Sequence, residues 1–137
     1  MVQIISGPKG SGKTKEIINL ANGQITEVMG EIVFINDREK YREELDTVIR
    51  YVNTEDFYIY TPAELFGFVN GLIAGNYDIE RIYIDNLVRV TRIKELNDLE
   101  ELIQGLEQLE NKYSVKFVVS ITSAEPLPEN FREYAYS

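Results

Sequence analysis

The sequence contains no cysteine and no histidine among its 137 residues. The absence of cysteine excludes a disulfide framework and a thiolate metal site. The absence of histidine removes the commonest metal ligand and the side chain that most often acts as a general base near neutral pH. Any proton transfer must therefore use carboxylates, lysine, tyrosine or water.

Basic residues are in the minority, with 14 Lys and Arg against 23 Asp and Glu and a net charge of −9. This balance argues against non-specific nucleic-acid binding, because contact with a phosphate backbone needs clustered Lys and Arg. Long hydrophobic runs are missing too, and the chain begins without a signal-peptide pattern. We therefore expect a soluble, cytoplasmic protein with no membrane partner.

The order of the predicted elements indicates an α/β fold. Apolar and β-branched runs predict strands over Val2–Ser6, Ile32–Ile35, Phe57–Tyr60, Ile82–Ile84 and Lys116–Ser120. Helical periodicity predicts helices over 13–22, 41–49, 62–75 and 96–109, the third of them opened by a capping box over 61–64. Strands that alternate with helices form mostly parallel sheets. We expect a single domain over residues 1–137, a three-layer sandwich around a mainly parallel five-stranded sheet.

The most informative motif lies between the first predicted strand and the first predicted helix. Residues 7–14 match the phosphate-binding pattern G-x-x-x-x-G-K-[ST] without a mismatch, reading Gly7, Pro8, Lys9, Gly10, Ser11, Gly12, Lys13 and Thr14. In that setting the backbone N–H groups and the helix dipole face a bound anion. We expect Lys13 to reach the β- and γ-phosphates and Thr14 to complete a Mg²⁺ shell. The alternative is a glycine-rich turn with a surface lysine.

An aspartate follows the fourth predicted strand. The run Arg81–Asp85 has the form of a Walker B strand, an apolar run that ends in aspartate. At the carboxyl edge of a parallel sheet, Asp85 would hold Mg²⁺ directly or through water, although an aspartate here could also simply cap the next turn. Arg89 and Arg92 follow it closely. They are either phosphate contacts, fingers for a neighbouring subunit or solvated surface residues.

With these two motifs the chain resembles the P-loop NTPases of the additional-strand group, which includes RecA-like proteins, AAA+ proteins and thymidine kinases. The resemblance implies a P-loop NTPase fold with ATP and Mg²⁺ as ligands. In many members a glutamate after the Walker B aspartate activates water, but this position is Asn86, which cannot accept a proton. An amide can still orient water, so slow turnover is the expectation.

The same resemblance suggests a replacement base and a phosphate sensor. RecA-like members place a catalytic glutamate after the second strand, where this chain has Asp37 and Glu39. Acids are also favoured there merely because a helix begins. The sensor at the end of the fifth strand fits Ser120 or Thr122, although hydroxyls also cap strand ends for local reasons. The aromatic tail over 123–137 either stacks on a base or covers the sheet edge.

Two narrower resemblances bear on the reaction. Thymidine kinases share the order of parts over residues 1–123, but this chain lacks their Asp-Glu pair and their cysteine-built zinc lasso, and only a short tail follows the fifth strand. The whole chain also resembles small bacterial ATP-binding proteins, some of them labelled after twitching-motility ATPases. It has neither the histidine-containing box nor the N-terminal domain of those motors.

Three functions are compatible with this pattern. The first is a Mg-ATP-binding protein, a slow ATPase or nucleotide-dependent switch whose protein partner or self-association the sequence does not identify. The alternatives are a small-molecule, nucleoside-type kinase and a structural domain with a vestigial loop. ATP is the default because no guanine-reading Asn-Lys-x-Asp element is present. The predicted catalytic residues are Lys13, Asp37, Glu39 and Asn86, the nucleotide contacts are residues 7–14 and Thr122, and the metal ligands are Thr14 and Asp85.

Overall fold

Five strands form one sheet in which every pairing is parallel. The computed structural model describes residues 1–136. Its strands are β1 (Gln3–Gly7), β2 (Glu31–Asn36), β3 (Arg50–Asn53), β4 (Ile79–Ile84) and β5 (Lys116–Thr122), and their order across the sheet is β1-β5-β4-β2-β3. The α-helices are α1 (Lys13–Gly23), α2 (Pro62–Gly75), α3 (Leu87–Thr91) and α4 (Glu100–Lys112). Short 3₁₀ helices span Glu39–Glu44, Thr54–Phe57, Leu96–Leu99 and Glu129–Tyr134.

Helices cover both faces of the sheet, because successive side chains of a strand point to opposite faces. Ile35 and Ile84 belong to the core that the sheet shares with α2 and α4. Their sequence neighbours Phe34 and Tyr83 instead pack with Ile17 of α1 on the other face. The predicted α/β architecture with a parallel five-stranded sheet is therefore confirmed.

The parallel connections bring the carboxyl ends of all five strands to one edge of the sheet. β5 lies between β1 and β4. The segment that follows β1, residues 7–14, and the segment that follows β4, which starts at Asp85, therefore meet at this edge across the end of β5.

The third strand lies earlier in the chain than the sequence predicts. β3 spans Arg50–Asn53 and pairs with β2, whereas the predicted strand Phe57–Tyr60 begins inside the 3₁₀ helix Thr54–Phe57. The Asn53 side chain accepts a hydrogen bond from Glu55 N at 3.0 Å, which turns the chain where the strand ends. Apolar composition favoured the later run, but pairing with β2 determines the strand.

The predicted helix over 41–49 is also wrong. The chain forms a 3₁₀ helix over Glu39–Glu44 and then a turn, in which Asp46 Oδ1 accepts a hydrogen bond from Val48 N at 3.0 Å. Val48, part of the apolar pattern, is 66% exposed, whereas Leu45 and Ile49 are buried, so only part of the pattern reaches the core and it does so without an α-helix. Across residues 1–136, no helix has the length and apolar character that crossing a membrane requires.

The start of α2 is capped almost as predicted. Thr61 Oγ1 accepts a hydrogen bond from Glu64 N at 3.1 Å, and Pro62 occupies the first helical position. The Glu64 carboxylate, however, accepts from Tyr60 N at 2.9 Å and not from Thr61 N. The reciprocal half of the box is therefore shifted by one residue.

The tail runs along the free side of β1. Ala135 forms a parallel bridge with Ile4, and Tyr136 N donates to Ile4 O at 2.9 Å. Leu127 and Phe131 are buried. Of the two roles considered for the tail, covering the sheet edge is the one observed, and Ser137 lies outside the described residues.

Candidate phosphate-binding site

The loop over residues 7–14 connects β1 to α1 in a conformation that depends on glycine. Gly10 and Gly12 have φ values of +82° and +88°, in the region that only glycine adopts without strain. A Cβ atom on Gly7 would lie 2.7 Å from Ser11 Oγ. The helix begins directly after Gly12, whose carbonyl accepts from Glu16 N at 3.0 Å. The predicted strand–loop–helix setting is therefore present.

Lys13 is folded back over this loop. Its Nζ atom donates to Pro8 O at 2.8 Å and lies 3.4 Å from Ser11 Oγ, and the residue is only 8% exposed. Burial lowers the pKa of Lys13, the Asp85 carboxylate opposes this shift, and the Arg89 guanidinium adds to it. The loop therefore holds a buried ammonium group that an anion would stabilise.

Asp85 is the centre of a buried polar network, with 1% exposure. Its Oδ1 atom accepts from Ser120 Oγ at 2.5 Å, and its Oδ2 atom accepts from Thr14 Oγ1 at 2.9 Å and Asn36 Nδ2 at 3.1 Å. The contact with Thr14 joins two residues 71 positions apart in sequence. The structure therefore brings the two predicted metal ligands together.

A Mg²⁺ ion fits these groups only with help from a ligand. Among residues 1–136, no cluster of three or more carboxylates is arranged to hold a metal ion. Mg²⁺ sites commonly combine one or two protein oxygens with phosphate oxygens and water. Thr14 donates its proton to Asp85, so the lone pairs of its oxygen are available to a cation. Thr14 would be a direct ligand, and Asp85 would orient it or act through water.

Asn86 and Thr122 lie side by side at the ends of β4 and β5. The Asn86 Nδ2 group donates to Thr122 Oγ1, and its Oδ1 accepts from Val88 N at 3.1 Å, so Asn86 also caps α3. Both side chains line the same cleft. The Ser120 hydroxyl instead donates to Asp85 inside the sheet, so Thr122 is the better placed of the two predicted sensor residues.

A cleft of about 370 Å³ opens above the loop. Its lining contains four basic side chains and no acidic one, an unusual concentration in a protein whose net charge is −9. The lining residues are Lys9, Gly10, Gly12, Lys13, Thr14, Arg38, Tyr41, Asn86, Arg89 and Thr122. This charge distribution favours a multiply charged anion.

The two carboxylates predicted as bases lie outside this lining. Asp37 Oδ1 accepts from Arg89 Nε at 2.7 Å, so Asp37 is adjacent to the cleft but paired with one of its basic residues. Glu39 pairs with Arg42 and accepts from Asn53 Nδ2 at 3.2 Å, on the side of β3. The structure therefore groups Lys13 with the two metal ligands and Asn86, and it does not bring Glu39 to them.

Three side chains of this region carried no assigned role in the sequence prediction. Asn36 bonds Asp85, and both Arg38 and Tyr41 line the cleft. Asn36 ends the buried run of β2, and a polar residue at the carboxyl end of a buried strand is the signal that would have indicated it. Arg38 precedes the 3₁₀ helix Glu39–Glu44 and Tyr41 lies in it, whereas the sequence pattern predicted a helix over 41–49.

No protein-family model matches the chain, and no curated protein matches its sequence. The resemblance to P-loop NTPases is therefore carried by the motif residues and by the site geometry. In this geometry Lys13 is buried against the loop and lines one cleft together with three further basic side chains.

Proposed function

We propose that this chain is a Mg-ATP-binding P-loop protein of the additional-strand group, working as a slow ATPase or a nucleotide-dependent switch. The observation that carries the proposal is the 2.9 Å hydrogen bond from Thr14 Oγ1 to Asp85 Oδ2. A chance match to the loop pattern would not require residue 14 to meet an aspartate at the end of another strand. The strand order supports the group assignment, because β5 is the strand inserted between β1 and β4.

Phosphate would be held by three features of the loop. Backbone N–H groups at the start of α1 have no partner within the helix, and they carry the positive end of its dipole. Gly10 and Gly12 let the backbone approach an anion closely. Lys13 adds a positive charge. Its ammonium group would exchange the hydrogen bond to the Pro8 carbonyl for stronger bonds to phosphate oxygens, which carry the opposite charge.

Slow hydrolysis follows from the chemistry of the cleft. None of the residues that line it carries a carboxylate, and its Asn86 cannot accept a proton. Asn86 could orient an attacking water, as an amide does in GTPases. The same lack of a lining carboxylate counts against the kinase alternative, which needs a base for the acceptor hydroxyl. Tight binding with little turnover suits a switch.

Thermal unfolding with and without nucleotide tests the proposal. A ligand that binds only the native state raises its stability by RT ln(1 + [L]/Kd), so Mg-ATP should raise the Tm. Lys13→Ala should remove most of this rise, because a hydrogen bond to a charged group contributes roughly 1.5–3 kcal/mol. Lys15→Ala is the matched control, since Lys15 is an exposed lysine of the same helix outside the cleft lining.

The outcomes separate the functions. A Tm that does not change with any nucleoside triphosphate would reject nucleotide binding and leave the structural-domain alternative. If Lys13→Ala and Lys15→Ala reduce the rise in Tm caused by Mg-ATP equally, the loop is not the site. Product analysis then distinguishes ADP with free phosphate, expected for an ATPase, from ADP that forms only when a nucleoside is added, expected for a kinase.

A further inference from the structure

Arg89 is a basic residue of the cleft that the phosphate motif does not explain. It lies in α3, which follows β4, whereas Lys13 follows β1 on the other side of β5. Its Nε atom donates to Asp37 Oδ1 at 2.7 Å, and its Nη2 atom lies 3.4 Å from Asn36 Oδ1. The side chain is 30% exposed, so the guanidinium is held by two acceptors while part of it faces the cleft.

A continuous set of hydrogen bonds fixes Arg89 relative to the predicted metal ligands. Thr14 donates to Asp85, Asn36 donates to the same carboxylate oxygen, and the Asn36 carbonyl oxygen faces Arg89. Asn36 and Asp85 are both buried. The distance between Arg89 and a cation at Thr14 is therefore set by buried groups and not by a flexible loop.

The positive charges of Arg89 and Lys13 favour binding of an anion between them. The two residues carry like charges and line the same cleft. Asp37, which does not line the cleft, offsets part of the charge of Arg89, and an anion in the cleft would relieve the remaining repulsion between Arg89 and Lys13.

We propose that Arg89 contacts the terminal phosphate of a bound nucleoside triphosphate and thereby makes the cleft discriminate triphosphate from diphosphate. The inference rests on the proposed function and names a specificity residue for that site. Asp37 is a positioning residue for Arg89 in this account, and not the base that its sequence position suggested. The Arg89 guanidinium suits this role because its planar fork can bond Asp37 through Nε while its terminal nitrogens bond phosphate.

The geometry explains why the terminal phosphate is the one contacted. The loop amides and Lys13 surround the phosphate that sits at the start of α1. Thr14, with Asp85 behind it, would hold a cation that neutralises the outer phosphates, and these phosphates would then lie toward Asp85. Arg89 is the basic lining residue that follows Asp85 in the chain, in α3.

Calorimetric titration of the full chain with Mg-ADP and with the non-hydrolysable triphosphate Mg-AMP-PNP tests the inference. Arg89→Ala should weaken AMP-PNP binding roughly tenfold or more and change ADP binding much less. Arg89→Lys, which keeps the charge and is the safer variant for folding, should show a smaller loss confined to AMP-PNP. Arg92→Ala is the matched control, because Arg92 ends the same helix but pairs with Glu55 and stacks on Tyr60.

Asp37→Asn should lower AMP-PNP affinity by a smaller factor than Arg89→Ala and leave ADP affinity unchanged. Equal losses of both ligands in the Arg89 variants, or no loss of either, would overturn the inference while leaving nucleotide binding intact. A wild-type protein that binds neither ligand would overturn the proposed function as well. Turnover abolished by Asp37→Asn with unchanged discrimination would restore Asp37 as a base and contradict the positioning role.

Discussion

The two ends of β4 each carry an aspartate, and the two residues have opposite surroundings. Asp78 precedes the strand and is exposed. Its backbone carbonyl accepts from Glu31 N, at the start of β2, at 2.7 Å. Asp85 follows the strand, is buried and accepts three side-chain hydrogen bonds. The same residue type is therefore an ordinary surface group at one edge of the sheet and the centre of a network at the other.

The cavities at the two edges differ in the same way. The amino edge has a cavity of about 440 Å³ whose lining includes three acidic side chains and no basic one. The cleft at the carboxyl edge has about 370 Å³, four basic side chains and no acidic one. A polyphosphate would be repelled in the first of these two cavities and attracted in the second.

Buried polarity follows the same division. Burial of a polar group costs free energy unless the group is hydrogen-bonded, so a concentration of such groups indicates function more often than stability. Within residues 1–136 the polar and charged residues that are buried as a whole lie in the carboxyl-terminal parts of strands or in the segments that follow: Lys13, Asn36, Asn53, Thr54, Asp85, Asn86, Thr91 and Ser120. At the amino edge, the Glu110 side chain is 2% exposed and pairs with the amino group of Met1. The two edges therefore differ in charge and in the number of buried polar residues, and the proposed function rests on this difference.

The largest difference in nucleotide affinity should come from replacing, one at a time, the two aspartates that flank β4. Asp85→Asn removes the carboxylate charge and puts an NH₂ group in place of one of the two oxygens that accept from Ser120 and Thr14, so Thr14 is held less well for a cation. We expect Mg-ATP affinity to fall roughly 10- to 100-fold. Asp78→Asn should stay within about twofold of the wild type, as surface substitutions do. Calorimetric titration measures both, and equal effects of the two variants would contradict the assignment of the site.

A glycine at the amino edge should affect folding and leave the ligand site intact. A Cβ atom on Gly30 would lie 2.1 Å from Asp78 O, a backbone atom that cannot move freely. We expect Gly30→Ala to lower the free energy of unfolding by about 1–3 kcal/mol, the usual range for overpacking. The rise in Tm caused by Mg-ATP should be unchanged relative to the variant's own Tm. Gly23→Ala is the control, since nothing lies within 4 Å of its Cβ position.

Urea unfolding measures the free energy of unfolding of Gly30→Ala and of its control, Gly23→Ala. Wild-type stability of Gly30→Ala would contradict the close contact expected with Asp78 O. A nucleotide response lost together with stability would mean that the two edges are not independent.

The titration of Lys13 is the smallest effect that we expect to be measurable. Burial holds the pKa of Lys13 in the folded chain below its ordinary value of 10.5, so the folded state binds this proton less tightly than the unfolded state. The fold therefore loses stability as the pH falls from 10.5 through the lowered pKa, and below it the full cost is present. Bound phosphate should raise the pKa again, because it favours the charged form.

NMR titration of the Lys13 Cε signal, with and without ADP, checks both directions. A pKa at or above 10.5 in the free protein, or no rise with ADP, would contradict the buried position of the ammonium group.

Local signals predicted the parts of the site that are local. Residues 7–14 fix their own conformation, because Gly10 and Gly12 adopt positive φ and the helix begins at once. Asp85 could be predicted because an apolar run that ends in aspartate places it at the carboxyl edge. Neither pattern indicated that Asn36 would share the Asp85 carboxylate, since this contact depends on β2 lying next to β4.

The segment between β2 and α2 could not be predicted in the same way. Its helical period over 41–49 and its aromatic run over 57–60 are genuine patterns, and Leu45, Ile49 and Ile59 are buried, but neither run forms the predicted element. Phe57 and Tyr58 are exposed, and the pairing of Arg50–Asn53 with β2 takes the place in the sheet. Tertiary pairing decided these elements, and single-sequence propensity does not contain it.

A crystal structure of the protein with Mg-AMP-PNP is the most direct test of the central claim. The account predicts the β-phosphate within hydrogen-bond distance of the backbone N–H groups at residues 10–14, and Mg²⁺ at Thr14 Oγ1 with Asp85 behind it. The terminal phosphate should lie on the Arg89 side of the cleft. A nucleotide bound elsewhere, or phosphates that do not contact the loop, would contradict the assignment of this edge of the sheet as the site.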